Sequence, residues 1–235
     1  MNRSEGWPRV VVIDYGLGNL FSVARALHAI GAEVQVSSSP EMVWQAERLI
    51  LPGVGAFGEG MQRLRSGGFI DPIRHAVDSG CPLLGICLGM QLLFSESEEF
   101  GLHQGLGLVE GRVVRLREAD LAGRRVKVPH VGWSALRPAG SAQRWNSTVL
   151  RGVAPGEMTY FVHSFAAHPQ EEAVSIAQTG YGGYEYCAVV HRGPITGCQF
   201  HPEKSGEVGL QILRNFVGGT PEEEGVVRDA VRQNA

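Results

Sequence analysis

Short apolar runs alternate with amphipathic stretches along the first hundred residues. The apolar runs have the length and composition of buried parallel strands, and they occupy residues 9–14, 34–37, 48–51 and 82–86. The amphipathic stretches place apolar side chains on one helical face, at Leu20, Val23, Ala24, Leu27 and Ile30 and again at Ile70, Ile73 and Val77. A further helix is predicted over 88–94. Alternating strands and helices predict an α/β fold, with helices covering both faces of a mostly parallel sheet.

The pattern changes at about Leu108, where short strands separated by turns replace the strand–helix units. These predicted strands are 109–116, 159–166, 173–177, 186–191 and 195–200. They predict that antiparallel strands are added in the C-terminal half. A closing helix carries Leu210, Leu213 and Val217 on one face, and the charged tail after it is expected to be loosely ordered. We expect one domain for residues 1–235, with its core at about 9–218 and the tail at 219–235.

Composition and charge narrow the classes of function. A net charge of −3 provides no basic face for nucleic acid and no polybasic membrane anchor, so neither partner is expected. The N-terminus lacks an apolar signal-peptide core, and no stretch approaches the roughly 18 apolar residues of a spanning helix, which favours a cytoplasmic protein. The four cysteines show no Cys-x-x-Cys spacing, as expected in a reducing compartment. No metal-ligand spacing and no phosphate-binding loop occurs, so no cofactor is expected.

One strand end carries a candidate nucleophile. Ligands of doubly wound sheets bind beyond the carboxyl ends of the strands, which selects the loops after Asp14, Leu51 and Ile86. Residues 85–89 have the spacing of the Gly-x-Ser-x-Gly nucleophile elbow, with the sulfur of Cys87 in place of the hydroxyl. The two glycines would permit a sharp, strained turn, and the start of a helix favours a thiolate. An isolated motif of this kind is more often a buried cysteine.

A second motif supplies a base and its orienter. His201 and Glu203 stand two residues apart at the end of a predicted strand, so their side chains can point to the same side. An imidazole could remove the thiol proton, while a carboxylate on its other nitrogen would fix the tautomer. A His-x-Glu pair alone is more often a surface pair. Its place at a strand end far from Cys87 in the chain is what a triad assembled by folding requires.

Attack on an amide carbonyl also requires hydrogen-bond donors for the developing oxyanion. The backbone N–H of Leu88 is one candidate, and the glycine-containing loop 52–55 should supply the other because it leaves a neighbouring strand. A plain strand-to-helix turn is an equally good interpretation of that loop from sequence alone.

Five sequence blocks together resemble the class I, or triad, glutamine amidotransferases. Two specific blocks are 85–91 and 199–205, which contain the candidate cysteine, histidine and glutamate. Three others, at 14–20, 129–133 and 160–165, resemble the glutaminase subunits of imidazole glycerol phosphate synthases. The resemblance covers about residues 9–218. Phe165 stands where relatives often carry Tyr, and Ser134 stands where Asn is common.

The resemblance implies a fold, an activity and roles for particular residues. It implies a flavodoxin-like α/β domain in which Cys87 is the nucleophile, His201 the acid and base, and Glu203 the orienter. It places Val54 in the oxyanion loop together with the N–H of Leu88. Glutamine would be held by Gly53, Gln91, Glu99, Ser164 and Phe165. Asn19 and Lys204 would face the partner.

The implied reaction is the hydrolysis of glutamine to glutamate and ammonia through a thioester. Since nothing in the chain resembles a site for a ribonucleotide acceptor, the ammonia would pass to a second polypeptide. The resemblance implies that this partner is a (β/α)8-barrel cyclase, bound as a heterodimer, and that the pathway is histidine biosynthesis.

Two alternatives remain open at this stage. The same triad serves amidotransferases of other pathways, for example anthranilate synthase. A dinucleotide-binding module is the alternative of a different class, because Gly16 and Gly18 follow a strand and precede a helix; however, Phe21 occupies the place of the third glycine. His130 and His163 are better candidates for packing or interface contacts than for metal ligands.

Overall fold

The structure is a computed structural model that describes residues 8–140 and 142–219. Its strands are β1 (Val10–Ile13), β2 (Val34–Ser37), β3 (Arg48–Gly53), β4 (Leu83–Cys87), β5 (Phe94–Ser97), β6 (His103–Gln104), β7 (Val109–Arg115), β8 (His130–Ala135), β9 (Arg137–Pro138), β10 (Met158–His163), β11 (Phe165–Pro169), β12 (Ser175–Tyr181), β13 (Tyr184–Arg192) and β14 (Ile195–Cys198). Its helices are α1 (Leu20–Ala29), α2 (Pro40–Trp44), α3 (Phe57–Ser66), α4 (Ile70–Asp78), α5 (Leu88–Leu92), α6 (Ala142–Asn146) and α7 (Gly206–Gly218), with 3-10 turns at Glu172–Val174 and Pro202–Lys204.

The main sheet has eight strands in the order β2-β1-β3-β4-β14-β13-β12-β9. The first five are mutually parallel, which is the flavodoxin-like order, and the last three are added antiparallel. Two smaller sheets, β10-β8 and β11-β7-β5-β6, complete the C-terminal half. The predicted α/β class, with a mostly parallel sheet and later antiparallel strands, is therefore confirmed.

The apolar strands are buried on both faces of the main sheet. In β1, Val10 and Val12 belong to one core cluster, whereas Val11 and Ile13 belong to a second cluster on the other side. Helices α1 and α7 pack into the first cluster, and α3 and α4 pack into the second. Continuous apolar strands are thus required because both faces are covered by helices.

The structure differs from the sequence-based elements in several places, and helices α2 and α6 and strands β6, β8 and β9 were not predicted. Helix α3 was not predicted, because two glycines and several charges interrupt its apolar stripe of Phe57, Met61 and Leu64. The helix predicted over 88–94 ends at Leu92, and strand β5 follows. The single strand predicted over 159–166 is wrong, because Ser164 separates β10 from β11, which pair with β8 and β7 in different sheets.

Two further expectations concern the ends of the chain and membranes. The tail at 219–235, predicted to be loosely ordered, lies outside the described residues from position 220 onward. Within residues 8–140 and 142–219, no helix has the length and apolar character needed to span a bilayer.

Candidate active site

Cys87 occupies a strained turn between a buried strand and a helix. It ends β4 with φ of 55° and ψ of −110°, and α5 begins at the next residue. Within the described part of the chain, Phe100 is the only other non-glycine residue with positive φ. Such a conformation costs of order 1–3 kcal/mol and persists only where the surrounding structure enforces it. The nucleophile-elbow geometry expected from residues 85–89 is therefore present.

The glycines of this turn are required by close backbone packing. A β-carbon on Gly85 would stand 2.8 Å from the carbonyl oxygen of Gly89 and 2.8 Å from the backbone nitrogen of Met90. A β-carbon on Gly53 would stand 2.6 Å from the hydroxyl of Tyr15 and 2.9 Å from the nitrogen of Gly89. The end of β3 thus packs against the start of α5, which brings Gly53 and the residues that follow it beside the elbow.

His201 and Glu203 form a buried pair three to five residues beyond the end of β14. His201 Nδ1 lies 2.8 Å from Glu203 Oε1, and the two side chains are only 3% and 1% exposed. Because a carboxylate can only accept, the hydrogen on Nδ1 is donated to Glu203. Nε2 has no conventional hydrogen-bond partner among the described residues, and the ring is near enough to Cys87 for that residue to raise its pKa. The base therefore stands between its orienter and the thiol.

The pKa of His201 lies well above its ordinary value. Burial is the largest single influence and lowers this pKa, but the interactions with Cys87 and Glu203 outweigh it. The interactions with Cys87 and Glu203 therefore favour the protonated form of the ring. A histidine that gains a proton when the thiol loses one is suited to general acid–base chemistry.

Cys87 and His201 line a pocket of about 360 Å³ together with most of the other candidate residues. The wall is formed by Val54, Gly55, Cys87, Leu88, Gln91, Glu99, Pro129, Val162, His163, Ser164, Phe165 and His201. The candidates Val54, Leu88, Gln91, Glu99, Ser164 and Phe165 are thus brought to one place. Glu203 pairs with His201 and does not line the pocket, and Gly53 is also absent from the pocket wall, packing instead against Leu88 and Gly89.

Comparison with known proteins identifies the family. The family model for glutamine amidotransferase class-I matches residues 11–218. The chain belongs to the class I glutamine amidotransferases. A relative from Legionella pneumophila strain Lens, imidazole glycerol phosphate synthase subunit HisH 1, is 47% identical to this amidotransferase over 208 residues, which is 88% of this chain and 98% of the relative. The HisH subunit from Geobacillus kaustophilus strain HTA426 is 51% identical over 207 residues, covering 88% and 95% of the two chains.

Solved structures support the same fold at lower identity. A structure of PurLQS from Thermotoga maritima superimposes on this amidotransferase with a TM-score of 0.68 at 20% identity, covering 89% of this chain and 97% of that chain. A crystal structure of a glutamine amidotransferase gives a TM-score of 0.66 at 22% identity, covering 89% and 99%. At these identities the likeness concerns the fold alone.

Two polar side chains of the amidotransferase tie the pocket wall to its surroundings. Gln91 is buried, and its Nε2 donates to the carbonyl oxygen of Phe165 at 2.8 Å and to Oε1 of Gln199 at 3.0 Å. Glu99 Oε2 accepts from the backbone N–H of Phe57 at 2.6 Å, where α3 begins. Both candidates therefore hold the pocket together in addition to lining it.

Sequence reasoning missed Gln199, which contacts the nucleophile. Its side chain is fully buried, and its Nε2 lies 3.9 Å from the sulfur of Cys87. The backbone carbonyl of Val162 lies 3.9 Å from the same sulfur. The signal for Gln199 was its spacing, because positions 199 and 201 point to the same side of an extended segment.

The two candidate partner residues lie outside the pocket. Asn19 caps α1, where its side chain accepts from the backbone N–H of Ser22 at 3.3 Å. Lys204 is exposed and directly follows Glu203. Both follow carboxyl ends of parallel strands, β1 and β14, so they share the edge of the sheet at which the pocket opens.

Proposed function

We propose that this chain is the glutaminase subunit of an imidazole glycerol phosphate synthase. In this function one cytoplasmic domain hydrolyses glutamine and passes the ammonia to a cyclase subunit in histidine biosynthesis. The observation that carries the proposal is the strained Cys87, which shares a pocket with His201, and His201 is paired with the buried Glu203. Identity of 47–51% over nearly the whole length of HisH relatives supports the pathway.

The reaction begins with transfer of the Cys87 thiol proton to His201 Nε2, a transfer that the raised pKa of His201 favours. The thiolate attacks the carboxamide carbon of glutamine, and the carbonyl oxygen becomes an oxyanion. The C–N bond then breaks as His201 gives its proton to the departing nitrogen, which leaves as ammonia with a glutamyl thioester on Cys87. His201 next takes a proton from water, and the hydroxide attacks the thioester. Collapse expels the Cys87 thiolate and releases glutamate.

Glu203 stabilises the imidazolium that forms twice in this cycle, and it keeps the proton of Nδ1 in place. The backbone N–H groups of Val54 and Leu88 are the proposed oxyanion donors, because both residues line the pocket beside Cys87. Such donors are fixed by the fold and therefore cost no reorganisation during the reaction.

Glutamine is proposed to lie in the 360 Å³ pocket, a volume typical of small-molecule sites. The Glu99 carboxylate is proposed to bind the α-amino group of glutamine. Gln91 and the backbone at Ser164 and Phe165 are proposed to form hydrogen bonds with the other polar groups of the substrate. Gly53, predicted to hold glutamine, is proposed to act indirectly, because the absence of a side chain lets the oxyanion loop approach the elbow.

The proposed partner is a (β/α)8-barrel cyclase bound as a heterodimer. Asn19 and Lys204 stand at the edge of the sheet that carries the pocket, as residues facing such a partner must. Three exposed apolar side chains, Phe21, Val131 and Trp133, are suited to an interface with a partner. Ammonia can attack an acceptor only while it is unprotonated, and in water it would become ammonium. A sheltered passage to the partner would therefore favour its transfer.

The test compares wild type, Cys87→Ala and Cys81→Ala, each with and without the cyclase. Cys81 is the matched control, because it lies outside the pocket and bonds to the carbonyl oxygen of Ala46. We expect Cys87→Ala to lose glutamine-dependent turnover by about 10⁴-fold or more, while turnover of the complex with added ammonia persists. Retained glutaminase activity in Cys87→Ala would contradict the assignment of Cys87 as the nucleophile.

The same assay separates the pathway alternatives. If the chain serves another synthase, glutamine turnover will be stimulated by the large subunit of anthranilate synthase and not by the cyclase. Calorimetry with NAD tests the dinucleotide-binding alternative. That alternative requires a heat of binding on addition of NAD, and we expect none.

A further inference from the structure

A continuous chain of buried hydrogen bonds connects a surface strand with the wall of the pocket. Ser134 Oγ lies 3.0 Å from His130 Nε2, and His130 Nδ1 lies 2.6 Å from the hydroxyl of Tyr186. The same hydroxyl lies 2.9 Å from His163 Nε2, and His163 Nδ1 lies 2.9 Å from the carbonyl oxygen of Phe165. The two histidines and the tyrosine are each less than 8% exposed.

Donor and acceptor roles in this chain are fixed from its inner end. The carbonyl of Phe165 can only accept, so His163 Nδ1 carries a hydrogen. Burial lowers the pKa of His163 to about 3, so the ring is neutral and its Nε2 accepts from the Tyr186 hydroxyl. The tyrosine has then used its only hydrogen, and its oxygen must accept from His130 Nδ1.

The outer end follows by the same reasoning. Burial lowers the pKa of His130 to about 4, so this ring is also neutral, and its Nε2 accepts from the hydroxyl of Ser134. Every proton in the chain points toward the pocket. Both histidines are thereby held as the Nδ1–H tautomer, and Tyr186 is the group that couples one ring to the other.

The inner end of the chain acts on the pocket itself. His163 and Phe165 flank Ser164, the residue at which β10 gives way to β11. The Phe165 carbonyl accepts from His163 and also from Gln91 Nε2, so two buried side chains hold the same peptide group. This stretch forms one wall of the pocket beside Cys87.

We infer that Tyr186 is a positioning residue for the glutaminase reaction, because its hydroxyl locks His163 in the orientation that holds the Phe165 carbonyl and the adjoining glutamine wall. This inference rests on the proposed function. Tyr186 does not line the pocket beside Cys87, so its effect passes through His163. Without the hydroxyl, Nε2 would be a buried acceptor with no donor, and a turn of the ring would relieve that cost only by breaking the bond to Phe165.

The first test concerns wild type alone and does not depend on activity. Long-range ¹H–¹⁵N spectra of the histidine rings, assigned with His130→Gln and His163→Gln, report tautomer and charge at pH 7. We expect His163 and His130 to be neutral Nδ1–H tautomers. An Nε2–H tautomer or an imidazolium at position 163 would contradict the donor and acceptor roles assigned to this hydrogen-bond chain.

The second test uses Tyr186→Phe in the complex with the cyclase. The matched control is Tyr184→Phe, which removes a hydroxyl from the same strand and leaves the ring over Arg117. We expect Tyr186→Phe to raise KM for glutamine about tenfold, with ammonia-dependent turnover unchanged and Tyr184→Phe like wild type. In the spectrum of Tyr186→Phe, the Nδ1–H signal of His163 should also move away from its wild-type position.

The outcomes separate this inference from the proposed function. Wild-type KM in Tyr186→Phe, alongside an active wild-type enzyme, would overturn the positioning role and leave the function intact. An inactive wild-type complex would contradict the function, while the tautomer spectrum would still decide the hydrogen-bond chain. If Tyr186→Phe does not fold, the wild-type spectrum remains the deciding measurement.

Discussion

Gly89 passes so close to Leu51 that a β-carbon at position 89 would overlap the Leu51 carbonyl oxygen. The contact joins the first turn of α5 to β3, two residues before that strand ends at Gly53. It fixes how far the start of α5 stands above the sheet and therefore where Cys87 and Leu88 face the pocket. Glycine is required at position 89 because the nearest atoms belong to the backbone of Leu51. A backbone cannot move aside for a larger residue as the end of a flexible side chain could.

Substituting Gly89 with alanine should therefore damage both stability and catalysis. We expect Gly89→Ala to lower the free energy of unfolding by about 1–3 kcal/mol, the usual cost of overpacking, and to reduce kcat more than it raises KM. Gly218→Ala is the control, because a β-carbon at this exposed position would have no other atom within 4 Å. Denaturant unfolding checks the first effect; equal midpoints for Gly89→Ala and wild type would contradict the crowding.

Much of the fold could be predicted because burial dictates the pattern of the strands. In β1, all four residues are buried against helices on both faces, which leaves a continuous apolar run in the sequence. Helix α3 could not be predicted in this way. Its glycines serve contacts that lie far away in the chain, since Gly60 packs against Leu92 and Gly58 against His103. Local propensity cannot contain such requirements.

The candidate site was predictable in its chemistry but only partly in its geometry. The strain at Cys87 follows from local spacing, because the elbow is a single turn of chain. The break at Ser164 does not, since it arises from pairing with two different sheets. His130 and His163 were expected to pack or to form an interface, and only the folded structure reveals that Tyr186 links them.

Removing the charge of Glu203 should slow the chemistry without removing the fold. Glu203→Gln loses the anion that helps to raise the pKa of His201, so the imidazolium is less stable in the transition state. We expect kcat for glutamine to fall about 10²- to 10⁴-fold and the His201 pKa, followed by NMR, to fall as well. Glu207→Gln, on the exposed start of α7, should behave as wild type. An unchanged His201 pKa would count against the pairing.

Glu99 should affect both substrate binding and the start of α3. In Glu99→Gln the pocket loses a negative charge, and the acceptor for the Phe57 N–H becomes neutral. We expect KM for glutamine to rise at least about tenfold, and stability to fall by about 1 kcal/mol. Glu98→Gln is the neighbouring control, because Glu98 lies outside the pocket and its acceptor oxygen for the Arg115 N–H is kept. Equal KM values for the two variants would contradict the role of Glu99.

Acid should destabilise the protein through His163. Burial, with smaller contributions from His130 and His201, lowers the pKa of His163 to about 3, against about 6.5 in an unfolded chain. Below pH 6.5 the unfolded state therefore binds a proton that the folded state refuses, so stability is complete above that pH and declines as pH falls toward the folded pKa. At pH 5 the loss from this residue is about 2 kcal/mol.

Urea unfolding at pH 7.5 and at pH 5 measures this contribution. We expect His163→Gln to be less stable than wild type at pH 7.5, because the bonds to Phe165 and Tyr186 are weakened, but to lose about 2 kcal/mol less on acidification. His28→Gln removes an exposed histidine and should keep the wild-type difference between the two pH values. Since the buried ring must stay neutral to accept from Tyr186, an equal acid sensitivity in His163→Gln and wild type would show that folding does not lower the pKa of His163, and it would contradict the neutral ring.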